Sequence, residues 1–154
     1  MTDETLKIGI LGVGHLISYL VPGMLRASQK PDFLLSPRNH QTAQMLAQNH
    51  NLEIATSNVE LVERCDVIIL SVRPLQVKGA LEGLPWRAEQ TIISLCAGVS
   101  IAEIAALTNG ASITRALPVT AARFGESPTA LYPGCELTAT LLGPCGPTFV
   151  LEDE

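Results

Sequence analysis

Short apolar runs alternate with helix-like segments along most of this chain, and that alternation restricts the folds open to it. The run DVIILSV at residues 66–72 is nearly continuous in apolar residues, which is typical of a central parallel strand buried on both faces. Further strands are predicted at residues 6–11, 32–36, 52–56, 90–98, 111–118 and 127–133, and a last one begins at Pro147. Because strands that alternate with helices form right-handed βαβ units, we expect an α/β fold. The prediction is a Rossmann-type doubly wound, mostly parallel sheet of about eight strands, with helices on both faces.

Helices are predicted between these strands at residues 14–28, 37–50, 57–65, 74–84, 100–108 and 135–145, the last ending at Gly143. Two of them begin with a Ser-x-x-Glu capping box, in which each side chain binds the backbone N–H of the other residue. These boxes are Ser57 with Glu60 and Ser100 with Glu103. Pro22 lies inside the first helix and removes one i→i−4 hydrogen bond, so we expect a kink or an early end there.

The composition suits one domain with a large core. The 154 residues are 47% hydrophobic and 16% charged, which is too apolar for a disordered chain. The net charge of −5 argues against a nucleic-acid partner. No apolar run reaches the length of a membrane span, and the acidic start MTDETLK is unlike a signal peptide. Four cysteines without CxxC spacing, of which Cys65 and Cys96 lie in apolar surroundings, predict a reduced, cytoplasmic protein without a metal site.

The first predicted strand runs into closely spaced glycines and then into an apolar helix. Gly12 permits a tight turn, and Gly14 allows the backbone to approach a phosphate group, whose charge the start of a helix favours. The position that usually holds a third small residue is Ile17, and we expect it to cost close packing of the helix on the sheet. This pattern favours a dinucleotide site, although an ordinary strand–helix turn would also produce it.

The end of the second strand indicates which dinucleotide would bind. NAD-binding domains place a carboxylate there for the ribose 2′-hydroxyl, but this strand ends in LLSPRN. Ser36, Arg38 and Asn39 offer hydrogen-bond donors and a positive charge, which suit a 2′-phosphate and favour NADP(H) over NAD(H). The alternative is a solvated turn that caps the following helix.

Five segments in this order resemble the N-terminal domain of pyrroline-5-carboxylate reductases, the enzymes of the last step of proline biosynthesis. They are IGILGVGHL, LLSPRN, ATSNVELVERCDVIILSVRPLQV, ISLCAGVSIAEI and TRALPVTAARFGESPTALYP. The resemblance implies an NADP(H)-dependent oxidoreductase that transfers a hydride to a cyclic imine. It also implies that residues 1–154 are a dinucleotide-binding domain and that the family's C-terminal helical domain, which dimerises and supplies most of the substrate pocket, is absent. A homo-oligomer is expected only with that second domain, and this chain alone is expected to lack activity.

The resemblance also implies positions for the cofactor. It places Leu11, Gly12, Val13, Gly14, His15 and Leu16 along the pyrophosphate, Ser36, Arg38 and Asn39 at the 2′-phosphate, Asn58 by the adenosine, and Val72, Arg73, Pro74, Cys96, Ala97 and Gly98 along the nicotinamide half. The chain departs from the family's pattern at Ile17, at Arg73 in place of a lysine, and at Val119 in place of an asparagine. Val119 cannot supply the hydrogen bonds of that amide.

The catalytic residues are unknown from the sequence. His15 follows Gly14 and could touch a phosphate or a ribose, although a residue in the first turn of a helix is the simpler interpretation. Arg115 and Glu126 lie at and after the end of the sixth strand, where either a site residue or a surface ion pair would fit. Two alternative functions remain: a non-catalytic nucleotide-binding or interaction module, and a reductase of another imine or carbonyl.

Overall fold

The predicted strands pair side by side in one sheet, which a computed structural model describes over residues 5–154. The acidic start MTDE lies outside the described residues. The strands are β1 (Lys7–Leu11), β2 (Asp32–Leu35), β3 (Glu53–Ile54), β4 (Val67–Leu70), β5 (Thr91–Ser94), β6 (Ser112–Leu117), β7 (Thr129–Tyr132) and β8 (Thr148–Val150). Most are shorter than predicted, because the ends of the apolar runs form the loops that leave the sheet.

The strand order is β3-β2-β1-β4-β5-β6-β7-β8. Strands β1 to β6 are parallel, β7 is antiparallel to β6, and β8 is parallel to β7. The chain moves outward from β1 to β3 in one direction and from β4 to β8 in the other. The loops after β1 and β4 therefore diverge above the centre of the sheet, which is the position where doubly wound sheets hold ligands.

Helices connect the strands along both faces of the sheet. They are α1 (His15–Met24), α2 (His40–His50), α3 (Asn58–Arg64), α4 (Val77–Leu81), α5 (Ile101–Ala105) and α6 (Glu136–Leu142), with 3₁₀ turns at Pro74–Gln76, Thr120–Phe124 and Gly143–Cys145. Within the described residues, no helix has the length and apolar character needed to cross a membrane.

Each face of the sheet has its own apolar core. Ile8 and Ile10 pack with α1, α2 and α6 on one face, while Leu11, Ile68 and Leu70 pack with α3, α4 and α5 on the other. Full burial of one such side chain contributes about 1.5–3 kcal/mol. The predicted doubly wound fold with helices on both faces is confirmed, since residues of one strand alternate between the two cores.

Helix α1 differs in detail from its prediction. Ile17 is fully buried in the core that α1 forms with the sheet. A close backbone approach of α1 lies at Gly23, where a Cβ atom would overlap the carbonyl of Ala122 in the 3₁₀ turn Thr120–Phe124. The helix continues through Pro22 and ends at Met24, rather than at residue 28.

The two predicted capping boxes have different outcomes. The box of Ser100 and Glu103 is confirmed at the start of α5. At the start of α3, Ser57 Oγ accepts a hydrogen bond from the Glu60 N–H at 3.1 Å, as predicted. The Glu60 carboxylate, however, accepts from the N–H and the hydroxyl of Thr56, at 2.6 Å each, so the reciprocal bond to Ser57 was wrong by one residue.

Three of the four cysteines behave as small core residues. Cys65 and Cys96 are buried, as predicted, Cys145 is buried too, and all four cysteines are free thiols. Burial raises the pKa of the Cys65 and Cys145 thiols to about 11, which keeps them protonated near neutral pH.

Candidate functional site

A cleft of about 670 Å³ lies where the loops after β1, β2 and β4 diverge. This volume is within the usual range of small-molecule sites, roughly 300–1,000 Å³. The residues that line the cleft are Gly12, Val13, Gly14, His15, Leu16, Arg38, Asn39, Ser71, Val72, Arg73 and Gln76. Nine of these eleven were predicted cofactor positions, and they come from three separate parts of the chain.

The floor of the cleft is the turn at Gly12. Its φ is +95°, and a Cβ atom there would come within 2.5 Å of the Ser71 carbonyl oxygen. The same two strand ends are joined by the Ser71 N–H, which donates to Leu11 O at 2.9 Å. Only glycine fits this position, because any side chain would separate the ends of β1 and β4.

The start of α1 points its backbone N–H groups into the cleft. Gly14 is the N-cap and forms no side-chain cap, and the first turn contains no acidic residue. Beyond its chain neighbours, no protein atom lies within 4 Å of the place where a Gly14 Cβ would stand. An uncapped helix start beside open space is a favourable place for a phosphate group.

The end of β2 brings Arg38 and Asn39 to one wall of the cleft, where both are exposed. Ser36 is different, because it is buried and its hydroxyl donates to Asn58 Oδ1 at 2.8 Å. Neither Ser36 nor Asn58 lines the cleft, and the bond between them fastens the start of α3 to the end of β2. None of the residues described as lining the cleft carries a carboxylate, so the formal charges in the lining are those of Arg38 and Arg73.

The end of β4 supplies the opposite wall, and two of its residues were missed by the sequence analysis. Ser71 directly follows the buried strand, and Gln76 ends the 3₁₀ turn that starts at Pro74. The position of Ser71 next to a parallel strand could have identified it, whereas Gln76 faces the cleft only because of that turn. Arg73 lines the cleft, but Pro74 does not.

The remaining predicted positions lie beside the cleft rather than in its lining. Leu11 and Cys96 are buried, while Ala97 and Gly98 are exposed after β5. The Cys96 thiol donates to Val72 O at 3.2 Å, which connects β5 to the wall of the cleft. Burial raises the pKa of this thiol, so it is a structural contact rather than a reactive group.

Other sequence candidates have structural partners or lie elsewhere. The His15 ring contacts Tyr19 one turn along α1, with ring centroids 5.0 Å apart. Arg115 pairs with Glu154 at 3.0 Å, and Glu126 is exposed outside the cleft. Val119 is exposed beyond the end of β6. In the described part of the chain, no group of three or more His, Cys, Asp or Glu side chains could hold a metal ion.

Known proteins share both the sequence pattern and the fold. The family described as NADP oxidoreductase coenzyme F420-dependent matches residues 7–98. The pyrroline-5-carboxylate reductase of Pseudomonas aeruginosa is 30% identical over 164 aligned positions, which cover 98% of this chain and 59% of that enzyme. Pyrroline-5-carboxylate reductase 1 of Bacillus spizizenii is 27% identical, with 96% of this chain and 54% of that enzyme covered.

Solved structures agree with these relatives. The 1-pyrroline-5-carboxylate reductase of Streptococcus pyogenes is 28% identical with a TM-score of 0.82, over 96% of this chain and 58% of that one. The pyrroline carboxylate reductase of Plasmodium falciparum, solved with NADP bound, shares the fold with a TM-score of 0.81 at 21% identity, over 97% of this chain and 59% of that one. The chain thus spans rather more than half the length of these relatives. The match to this family covers well over half of the chain, so the chain belongs to the family of NADP oxidoreductases described as coenzyme F420-dependent. The resemblance of the chain to the pyrroline-5-carboxylate reductases is also confirmed.

Proposed function

We propose that this chain is the NADP(H)-binding part of an oxidoreductase that reduces a cyclic imine of the pyrroline-5-carboxylate type. One observation carries the proposal. The cleft combines a glycine turn, an uncapped helix start and an arginine wall, and it has no carboxylate in its described lining. That combination attracts phosphate groups at two separate points, as a phosphorylated dinucleotide requires.

The two anionic parts of NADP(H) would contact different elements. The pyrophosphate would lie over Gly14, against the backbone N–H groups that begin α1. The 2′-phosphate would lie against Arg38 and Asn39, since a guanidinium group binds phosphate oxygens in pairs. Ser36 supports this wall through Asn58 rather than by direct contact. The preference for NADP(H) over NAD(H) follows, because NAD(H) lacks the group that Arg38 would bind.

The chain's part in the chemistry is to hold and orient the reacting groups. The bound nicotinamide supplies the hydride, and the protein supplies position and a dry environment. Val72 and the turn at Ala97 and Gly98 would flank the nicotinamide. The imine substrate is proposed from the relatives, which are pyrroline-5-carboxylate reductases. The imidazole of His15 also belongs to the described lining, and its ring contacts the ring of Tyr19.

Titration calorimetry with NADPH and NADH tests the cofactor proposal. We expect NADPH to bind more tightly to the unchanged chain. In Arg38→Gln, the loss of a charge-assisted hydrogen bond worth about 1.5–3 kcal/mol should weaken NADPH binding roughly ten- to hundredfold. NADH binding should change little, because the 2′-phosphate is the group that the arginine binds.

Arg123→Gln is the matched control. It removes an arginine that is exposed, stacks on Phe124 at 5.2 Å and lies outside the cleft. Its affinities for both cofactors should equal those of the unchanged chain. Equal binding of NADPH and NADH by the unchanged chain would contradict the proposed preference, and binding of neither would contradict the site.

A non-catalytic nucleotide-binding module is the second candidate function. It is favoured by Val119, which is 47% exposed at the position where the resemblance implies an asparagine amide. Such a module would bind NADPH through the same cleft but reduce no imine. Calorimetry therefore tests the site common to both candidates, and a turnover assay with NADPH and an imine distinguishes them.

A further inference from the structure

Residues 151–154, which we name the strap, follow β8 and reach Arg115 of β6 and the start of α5. The Leu151 N–H donates to Leu131 O at 2.9 Å, which is the last backbone bond between this segment and β7. Three residues later, Glu154 Oε1 accepts from Arg115 Nη1 at 3.0 Å and from the Ile101 N–H at 2.7 Å. One carboxylate thus joins the strap to both β6 and the start of α5.

These contacts lie beside the turn that connects β5 to α5. Cys96 is buried on the β5 side of this turn, and its thiol donates to Val72 O in the wall of the cleft. Gly98, with a φ of +71°, and Ala97 form the exposed part of the turn. Ile101 begins α5 on the other side. The turn is therefore held by Cys96 at one end and by Glu154 at the other.

Arg115 lies in register with Ser94, the last residue of β5, and Ser94 Oγ accepts a hydrogen bond from the Cys96 N–H at 3.3 Å. Glu154 is therefore hydrogen-bonded to a residue of β6 whose neighbour on β5, Ser94, is hydrogen-bonded to Cys96. Contacts of this kind help to set the position of a turn whose own residues, Ala97 and Gly98, are exposed.

The pair is more protected than an ordinary surface ion pair. The side chain of Arg115 is 18% exposed and that of Glu154 is 31% exposed. Across residues 5–154, Glu154 is the only carboxylate within salt-bridge distance of Arg115. Loss of Glu154 would leave a largely buried guanidinium group without its partner, so the local structure would have to rearrange.

We infer that Arg115 and Glu154 are a positioning pair, which holds the turn at residues 96–98 where the nicotinamide half of the cofactor would lie. The inference rests on the proposed NADP(H) site. The pair does not touch the adenosine half, whose wall is formed by Arg38 and Asn39 on the other side of the cleft. Loss of the pair should therefore weaken contacts to the nicotinamide half and leave the adenosine half unaffected.

Two ligands distinguish contacts to the nicotinamide half from contacts to the adenosine half. NADPH occupies the whole site, whereas adenosine 2′,5′-bisphosphate carries the 2′-phosphate and no nicotinamide. In Glu154→Ala, calorimetry should show NADPH binding weakened on the order of fivefold, which corresponds to the loss of part of one charge-assisted hydrogen bond. Binding of the bisphosphate should stay within about twofold of the unchanged chain. Arg115→Met should give the same pattern, and the double variant should be no weaker than either single one.

Glu152→Ala is the matched control, since it removes an exposed carboxylate from the strap that forms no ion pair among the described residues. Its NADPH binding should equal that of the unchanged chain. Unaltered NADPH binding in Glu154→Ala would overturn the inference. An equal loss of both ligands would also overturn it, because the pair would then be purely structural. If the unchanged chain bound neither ligand, the NADP(H) site itself would fail, and the inference with it.

Discussion

Gly12 and Gly14, two positions apart, are glycines for different physical reasons. Gly12 is required by the protein itself, since its φ of +95° and the nearby Ser71 carbonyl exclude a side chain. Gly14 has an ordinary φ of −102° and open space around it, so only a ligand would meet a side chain there. The spacing of glycines in a sequence does not distinguish these two roles, whereas the structure does.

The same substitution is therefore expected to have different effects at the two positions, mainly on stability at Gly12 and mainly on cofactor binding at Gly14. Gly12→Ala should lower the melting temperature by at least about 2–4 °C, because the left-handed backbone and the overlap with Ser71 O cost more than about 1 kcal/mol in a domain of this size. Gly14→Ala should lower the melting temperature less than Gly12→Ala does, because only the N-cap preference is lost, but weaken NADPH binding at least about tenfold, since its methyl group would occupy the phosphate position. Thermal unfolding and calorimetry measure the two effects. A Gly14→Ala variant that binds NADPH normally would contradict the proposed phosphate site.

At the scale of elements, the two predicted capping boxes show how far local sequence specifies the start of a helix. Ser100 and Glu103 form the predicted reciprocal box, because all of its atoms lie within four consecutive residues. Near α3, Thr56 provides both an N–H and a hydroxyl to Glu60, and this pair displaced the expected bond to Ser57. Arg64 adds an ion pair with the same carboxylate at 2.7 Å. Glu60 is thus bound from two sides.

This binding predicts a pH dependence for the stability of the chain. Hydrogen bonds from the Thr56 hydroxyl and N–H, then from Arg64, lower the pKa of Glu60 from 4.5 to about 2. A carboxyl group whose pKa is lower in the folded than in the unfolded chain stabilises the fold above its unfolded pKa. That stabilisation is lost as the pH falls from 4.5 towards 2. The melting temperature of the unchanged chain should exceed that of Glu60→Gln above pH 4.5, and the difference should shrink over this interval.

Glu63→Gln provides the control for this titration. Glu63 lies in the same helix, is exposed and forms no ion pair within the described range. The difference between its melting temperature and that of the unchanged chain should not vary over the same interval. A constant difference for Glu60→Gln as well would show that the carboxylate contributes nothing through its bonds to Thr56 and Arg64.

At the scale of the whole molecule, the sheet places the parts of one site far apart in the chain. Gly12, Arg38 and Ser71 meet in one cleft because β1, β2 and β4 are adjacent and parallel. Parallel strands end at the same edge of a sheet, so residues that follow different strands become neighbours. The relatives are longer than this chain, which spans 59% of the Pseudomonas aeruginosa enzyme. We propose that groups outside these 154 residues complete the substrate pocket of such an enzyme.

The 154-residue chain alone is therefore expected not to reduce pyrroline-5-carboxylate with NADPH, even though it should bind the cofactor. Its cleft presents arginine, amide, hydroxyl and imidazole side chains, but the exposed end of β6 offers Val119 rather than an amide. Absorbance of NADPH measured over time tests this expectation, with the Pseudomonas aeruginosa reductase as the active control. Sustained turnover by the chain alone would contradict it and would place the whole reaction within these residues.

Much of the fold could be predicted because its signals are local. The apolar run that became β4 identified a strand buried on both faces, and the alternation of elements predicted the doubly wound sheet. Gly12, Gly14, Arg38 and Asn39 were predicted from the glycine turn and the end of the second strand, whereas cleft residues such as Val72 and Arg73 were predicted only through the resemblance to the pyrroline-5-carboxylate reductases. Gln76 was missed because its direction depends on a 3₁₀ turn, and the hydrogen bond from the Ser36 hydroxyl to Asn58 was not foreseen because the two residues are far apart in the chain.

The sequence by itself determined the periods of burial, the positions of the strands and the glycine turn, because these depend on backbone geometry and on neighbours a few residues away. The tertiary structure alone decided which residues meet across long separations. Ser36 and Asn58 are 22 positions apart, Arg115 and Glu154 are 39 apart, and Ile101 and Glu154 are 53 apart. Such contacts depend on strand order and on the path of the chain between elements, so no local pattern encodes them.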